Sequence, residues 1–131
     1  MRRSLALLLP VAVAGLAAPA ASVDRASSEE RFAAATRGLV PGTPVDCFDR
    51  RRESNFTAAG SRLIFKVGPS NVYVNQTRGG CDVARPDDAL ITRSPLGRMC
   101  RGDPVRFVDP RTGVQGGTCV LGQFTPYTKP R

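Results

Sequence analysis

Hydrophobic and polar positions alternate along the second half of the chain. In "RLIFKV" (62–67), Leu63, Phe65 and Val67 oppose Arg62, Ile64 and Lys66. This is the period of a half-buried strand, with one apolar residue, Ile64, on its outer side. "GPSN" (68–71) is turn chemistry, and "VYVN" (72–75) resumes with Val72 and Val74 on one face, which predicts a β-hairpin. "ALIT" (89–92) predicts a third strand, and "VRFV" (105–108) sets Val105 and Phe107 against Arg106 and Val108. In "DPRTG" (109–113) proline presets φ and glycine accepts a positive φ, so a turn is expected. "VQGGTCVLGQF" (114–124) returns as a strand, with Gly116-Gly117 marking a bulge or bend. Cys47 to Phe56 fits a further, polar strand. The pattern predicts a mainly β domain over 45–128, a small antiparallel roll or open barrel of five or six short strands, with 129–131 as a tail.

Residues 21–44 read differently. Ser27 and Glu30 form a capping box and Gly38 a stop, which allows a helix of about ten residues carrying one large apolar side chain, Phe32. Such a helix is marginal on its own in water, and "GLVPGTPVD" interrupts regular structure, so this stretch is expected to be a linker with at most a short helix. Residues 1–20 have the form of a signal peptide: Arg2 and Arg3, a short apolar stretch, then Ala18-Pro19-Ala20. The apolar run falls short of the about 20 residues a bilayer span needs, so no stable membrane span is expected once the leader is cleaved. The expected location is periplasmic or secreted.

Export changes the meaning of the four cysteines, Cys47, Cys81, Cys100 and Cys119. An even number in a small exported domain, with no CxxC spacing, predicts two structural disulfides. Four cysteines allow three pairings and sequence alone does not choose; the working expectation is Cys47 with Cys100 and Cys81 with Cys119. Each bridge is expected to contribute about 3–4 kcal/mol.

The formal net charge is +8, and about +6 once Arg2 and Arg3 leave with the leader. Lys66 and Lys129 are the only lysines; the rest of the positive charge is arginine, whose fork matches carboxylates, phosphates and sulfates. An anionic envelope component is therefore a candidate partner, against the alternative that a GC-rich genome inflates arginine. Arg50, Arg51 and Arg52 are the candidate anion-binding residues. On a strand, Arg50 and Arg52 would share a face, with Arg62 or Arg106 nearby. The competing reading is an edge strand protected by charge. Nucleic acid is not an expected partner, because export removes it and only Phe48 and Phe56 could act as base platforms.

Histidine is absent, which excludes a Ser-His-Asp triad, a Cys-His dyad and an HExxH zinc site. No cofactor and no metal is implied. Asp82, Asp87 and Asp88 form a carboxylate cluster without EF-hand spacing, readable as a calcium loop, as hydrolase carboxylates or, preferably, as a polar turn. Arg101-Gly102-Asp103 is the tripeptide of many adhesive proteins, and the same cysteine-anchored loop would suit a protease inhibitor presenting Arg101.

The order "CFDRRR", "VYVNQ", "MCRGDPVRFVD" and "GGTCVLGQFTPY" resembles an uncharacterised family of small exported proteins of Gram-negative bacteria, sphingomonad-like sources among them. The resemblance covers about residues 45–128 and rests on Met99, Cys100 and Asp103 and on Leu121, Gly122 and Phe124. It implies a periplasmic or secreted location and carries no known activity, hence no catalytic residues. It also implies a structural role for Asp103, whose carboxylate would accept backbone N–H bonds where the loop enters the strand at Val105. A bacterial source makes the sequons at Asn55 and Asn75 incidental. The reading is an exported, non-enzymatic binding or structural domain of the envelope. The alternatives are a small carboxylate-dependent hydrolase and a protease inhibitor. The oligomeric state is left open.

Overall fold

The computed structural model describes residues 20–52, 55–81, 84–85, 87–94 and 97–131. Residues 1–19, most of the stretch expected to be a leader over 1–20, lie outside them. The described chain is mainly β, built of antiparallel sheets that do not close. The strands are β1 (Val40–Pro41), β2 (Cys47–Asp49), β3 (Asn55–Ala59), β4 (Arg62–Val67), β5 (Asn71–Gln76), β6 (Ala89–Thr92), β7 (Arg98–Cys100), β8 (Pro104–Val108), β9 (Gln115–Val120) and β10 (Phe124–Thr128). The count exceeds five or six because several are two or three residues long, too short to show a period.

A five-stranded sheet, ordered β1-β10-β5-β4-β3, forms the middle layer. One of its faces carries Ala58, Leu63, Phe65 and Phe124, packed on two smaller sheets, β2-β7 and β6-β8-β9, that supply Phe48, Met99, Val105, Phe107 and Cys119. Burying each large apolar side chain here contributes about 1.5–3 kcal/mol. The other face, with Ala59, Ile64, Val72 and Val74, is covered by α1 (Ala20–Thr36) through Phe32 and Ala35, and by Leu39 just beyond it. Ile64 is therefore not a stray apolar residue on a wet face. It is 3% exposed, beneath a helix.

The stretch expected to be a linker thus contains a helix longer than its capping box implied, and that helix is docked. Tertiary contact supplies what local propensity lacks. Phe32 meets Tyr127 edge-on at 6.0 Å, and the Arg62 guanidinium sits 4.1 Å over the Phe32 ring while pairing with Glu29. Arg31 Nε donates to the Ala58 carbonyl at 3.0 Å, which occupies an acceptor on the edge strand β3.

The expected hairpin of β4 and β5 forms, with Ile64 opposite Val74, Phe65 opposite Tyr73 and Asn71 already in the second strand. The glycine-pair bulge is also present: between the Arg106–Thr118 and Val108–Gln115 pairs, Gly116 and Gly117 stand against the single residue Phe107. Two expected strands are broken. Residues 114–124 divide at Leu121–Gln123, and β10 joins the large sheet instead of continuing β9. β10 tolerates Pro126 because its carbonyl accepts from Gly42 at 2.7 Å. Its nitrogen faces the same short edge, where no long ladder is interrupted. Residues 47–56 divide into β2, a 3-10 turn (Arg50–Arg52) and β3.

Two disulfides, Cys47–Cys100 and Cys81–Cys119, hold the smaller sheets. The first joins directly opposed residues of β2 and β7. The second joins β9 to the turn after β5 and is buried in the core. They point to an oxidising, extracytoplasmic environment. Among the described residues, no helix is long and apolar enough to cross a membrane.

Candidate anion-binding cleft

The two-residue alternation of β2 and β7 builds one side of a surface cleft. Phe48 and Met99 are paired and point into the core, and Asp49 and Arg98 are the next pair along. After Asp49 the chain leaves the extended conformation, because the Asp49 carboxylate accepts the Arg51 backbone N–H at 3.0 Å and the Gly97 carbonyl accepts the Arg50 N–H at 3.1 Å. This is an Asx-type turn. It corrects the expectation that Arg50, Arg51 and Arg52 lie on a strand with alternating faces. The turn aims Arg50 and Arg51 separately. Arg50 Nη1 donates to Thr92 Oγ1 at 2.8 Å, Arg51 folds back on Asp49, and the Arg52 side chain lies outside the described residues. The expected neighbours are absent as well: Arg62 pairs with Glu29 on the helix side, and Arg106 lies on β8, in register with Ile91 and Thr118 of the three-stranded sheet.

The cleft has a volume of about 420 Å³ and is lined by Phe48, Asp49, Arg51, Val67, Asn71, Tyr73 and Arg98. That size lies within the range of small-molecule sites, about 300–1,000 Å³. Phe48 and Tyr73, with ring centroids 4.8 Å apart, and Val67 supply the apolar part. Arg51 is held two-pronged by Asp49, Nε to Oδ1 at 3.2 Å and Nη2 to Oδ2 at 3.3 Å. The Arg98 guanidinium has no hydrogen-bond or ion-pair partner among the described residues. Arg98 and Tyr73 escape a sequence search for charge runs; the signal for Arg98 was its place one residue before Met99-Cys100, out of phase with the buried Met99.

The other sequence candidates are internally engaged. Asp103 Oδ2 accepts the Cys100 N–H at 2.8 Å, the role the family resemblance implied. The loop is a tight turn, Asp103 N to Cys100 O at 3.1 Å, with Gly102 at φ 94° and Arg101 Nε 3.3 Å from Asp46 Oδ1. The Asp103 carboxylate is thus engaged by its own loop, and the backbone at Arg101 is bent where a protease would need it extended. Asp82 lies outside the described residues. Asp87 pairs with Arg111 at 2.7 Å, and Asp88 Oδ2 accepts the Arg85 N–H at 2.9 Å. Nearby, the Arg111 backbone N–H donates to Asp109 and holds its carboxyl below the usual range; the Thr112 N–H and the Arg111 charge act the same way, against a smaller opposing effect of burial.

Asn75, the second sequon residue, is fully buried. Its Nδ2 donates to the Gly122 carbonyl at 2.8 Å, and its Oδ1 accepts the Gly122 N–H at 2.9 Å. The side chain replaces a strand partner where β9 gives way to β10. Gly122 has no substitute there, because a Cβ would sit 2.1 Å from the Gln76 carbonyl oxygen.

No protein family, curated protein or solved structure matches this chain.

Proposed function

We propose that this protein is an exported, non-enzymatic domain of the bacterial periplasm or secretome that holds an anionic envelope component in the cleft between Arg51 and Arg98. The observation that carries this reading is Arg98, which lines one cleft with Arg51, Phe48, Val67 and Tyr73 and has no side-chain partner among the described residues, while the described carboxylates of the other sequence candidates are engaged in turns and ion pairs. The sequence supports it with a leader of signal-peptide form and an arginine-rich composition. The resemblance to small exported Gram-negative proteins supports it too, since Leu121, Phe124 and Met99 are core residues and Asp103 and Gly122 hold turns.

The test combines intact mass with sedimentation. The exported protein is expected to start near Ala21 and to reveal four thiols only after reduction. It is expected to co-sediment with envelope fractions at low salt and to be released as salt rises. A retained leader, thiols that alkylate without reduction, or no co-sedimentation at low salt would contradict the proposal.

A further inference from the structure

We propose that the cleft receives a carboxylated sugar residue of an acidic polysaccharide. The inference rests on the proposed anion-binding role and narrows it to one ligand class.

The balance of charge is the first ground. Among the described residues, two guanidinium groups and one carboxylate line the cleft, a formal charge of +1. A single carboxylate completes that balance. A phosphate monoester, near −2 at neutral pH, would bring its second charge against Asp49. Asp49 is fixed there by its two-pronged bond to Arg51, so it stays in the site as a hydrogen-bond acceptor. A planar carboxylate suits the planar fork of Arg98, which can bind it through two parallel N–H···O bonds.

The shape of the chemistry is the second ground. Phe48, Tyr73 and Val67 offer apolar surface for the C–H face of a sugar ring, while Asn71, the Tyr73 hydroxyl and Asp49 offer donors and acceptors for ring hydroxyls. The cleft opens on the surface, which admits an internal residue of a chain as readily as an end.

The surroundings are the third. A site for lipid headgroups would need apolar side chains beside it to enter the bilayer. The exposed large apolar residues among the described ones are Val40, Val45, Ile91, Val114 and Val120, and none of them lines the cleft. A membrane surface therefore fits less well than a hydrated polysaccharide.

The experiment titrates the oxidised mature protein by calorimetry with tetragalacturonate, its methyl ester and inorganic phosphate, and in parallel with vesicles of phosphatidylglycerol. The expected result is measurable binding of tetragalacturonate, about tenfold weaker for the methyl ester and for Arg98→Ala, with part of the loss recovered in Arg98→Lys. Amide shifts in the NMR spectrum at Asn71, Tyr73 and Arg98 are expected with tetragalacturonate. Phosphate or vesicles binding as tightly as tetragalacturonate, with loss in Arg98→Ala, would overturn the sugar class and leave the anion cleft standing. Envelope co-sedimentation that survives Arg98→Ala would overturn both.

Discussion

Two polar constellations lie on either side of Tyr73, and they are built in opposite ways. At one, Asn75 meets Gly122 inside the core, and every donor and acceptor between them is matched. At the other, Arg51 is matched by Asp49, but Arg98, which lines the same cleft, has no side-chain partner among the described residues. The closed constellation carries an architectural task, turning the chain from β9 into the large sheet without leaving a buried N–H or carbonyl unpaired. The open one does nothing for the fold that a shorter side chain would not do as well. A polar residue that is buried and matched reads as structure. A charged residue that lines a partly apolar cleft, with no partner among the described residues, reads as a candidate binding group.

The largest effects that separate the two regions should come from the disulfides. Replacing either pair by alanine is expected to cost about 4 kcal/mol, since loops of 53 and 38 residues differ little in closure entropy. The two losses should differ in kind. Cys81→Ala/Cys119→Ala opens the core, whereas Cys47→Ala/Cys100→Ala frees the ribbon that carries Asp49 and Arg98 and should also abolish cleft binding. Denaturant unfolding and ligand titration of both double variants check this. Next, Gly122→Ala should cost about 3 kcal/mol through overpacking against Gln76, and Asn75→Ala about 2 kcal/mol by orphaning the Gly122 amide and carbonyl. Both are read by urea unfolding. Asp103→Ala should cost about 1 kcal/mol, the hydrogen bond to the Cys100 N–H, without changing ligand affinity.

The smallest effect is one of pH. Asp109 titrates below its ordinary value of 3.8 in the folded chain because its carboxylate accepts the Arg111 N–H. The stabilisation it provides is therefore complete above that ordinary value and is lost as pH falls through the lower, folded value. Acid unfolding of Asp109→Asn should lack this pH-dependent loss of stability below pH 3.8 and match the wild-type slope above it.

Much of the fold was legible because the central hairpin repeats its period over six residues and its turns use residues with few alternatives. Both strands of that hairpin form, and Gly116-Gly117 forms the bulge. β7 and β10 were not legible. Three residues of β7 show no period, and β10 contains Pro126, whose tolerance depends on a neighbour 84 positions earlier, Gly42. The helix was half legible: its stop at Gly38 is local, but the helix starts at Ala20 so Ser27 does not cap it, and its docking depends on Ile64, Val72 and Val74 presenting a second apolar face. The candidate site followed the same division. The arginine run led to Arg51, which lines the cleft because Asp49 folds the chain into a turn, and Arg98 joins it only through the pairing of β2 with β7.

Equilibrium unfolding of Arg98→Ala, with and without saturating tetragalacturonate, tests the contrast most directly. The account predicts a ligand-free unfolding free energy within about 0.5 kcal/mol of wild type. It predicts that the stabilisation tetragalacturonate gives the wild-type protein disappears in the variant. An Arg98→Ala protein as destabilised as Asn75→Ala, or one that tetragalacturonate still stabilises, would contradict it.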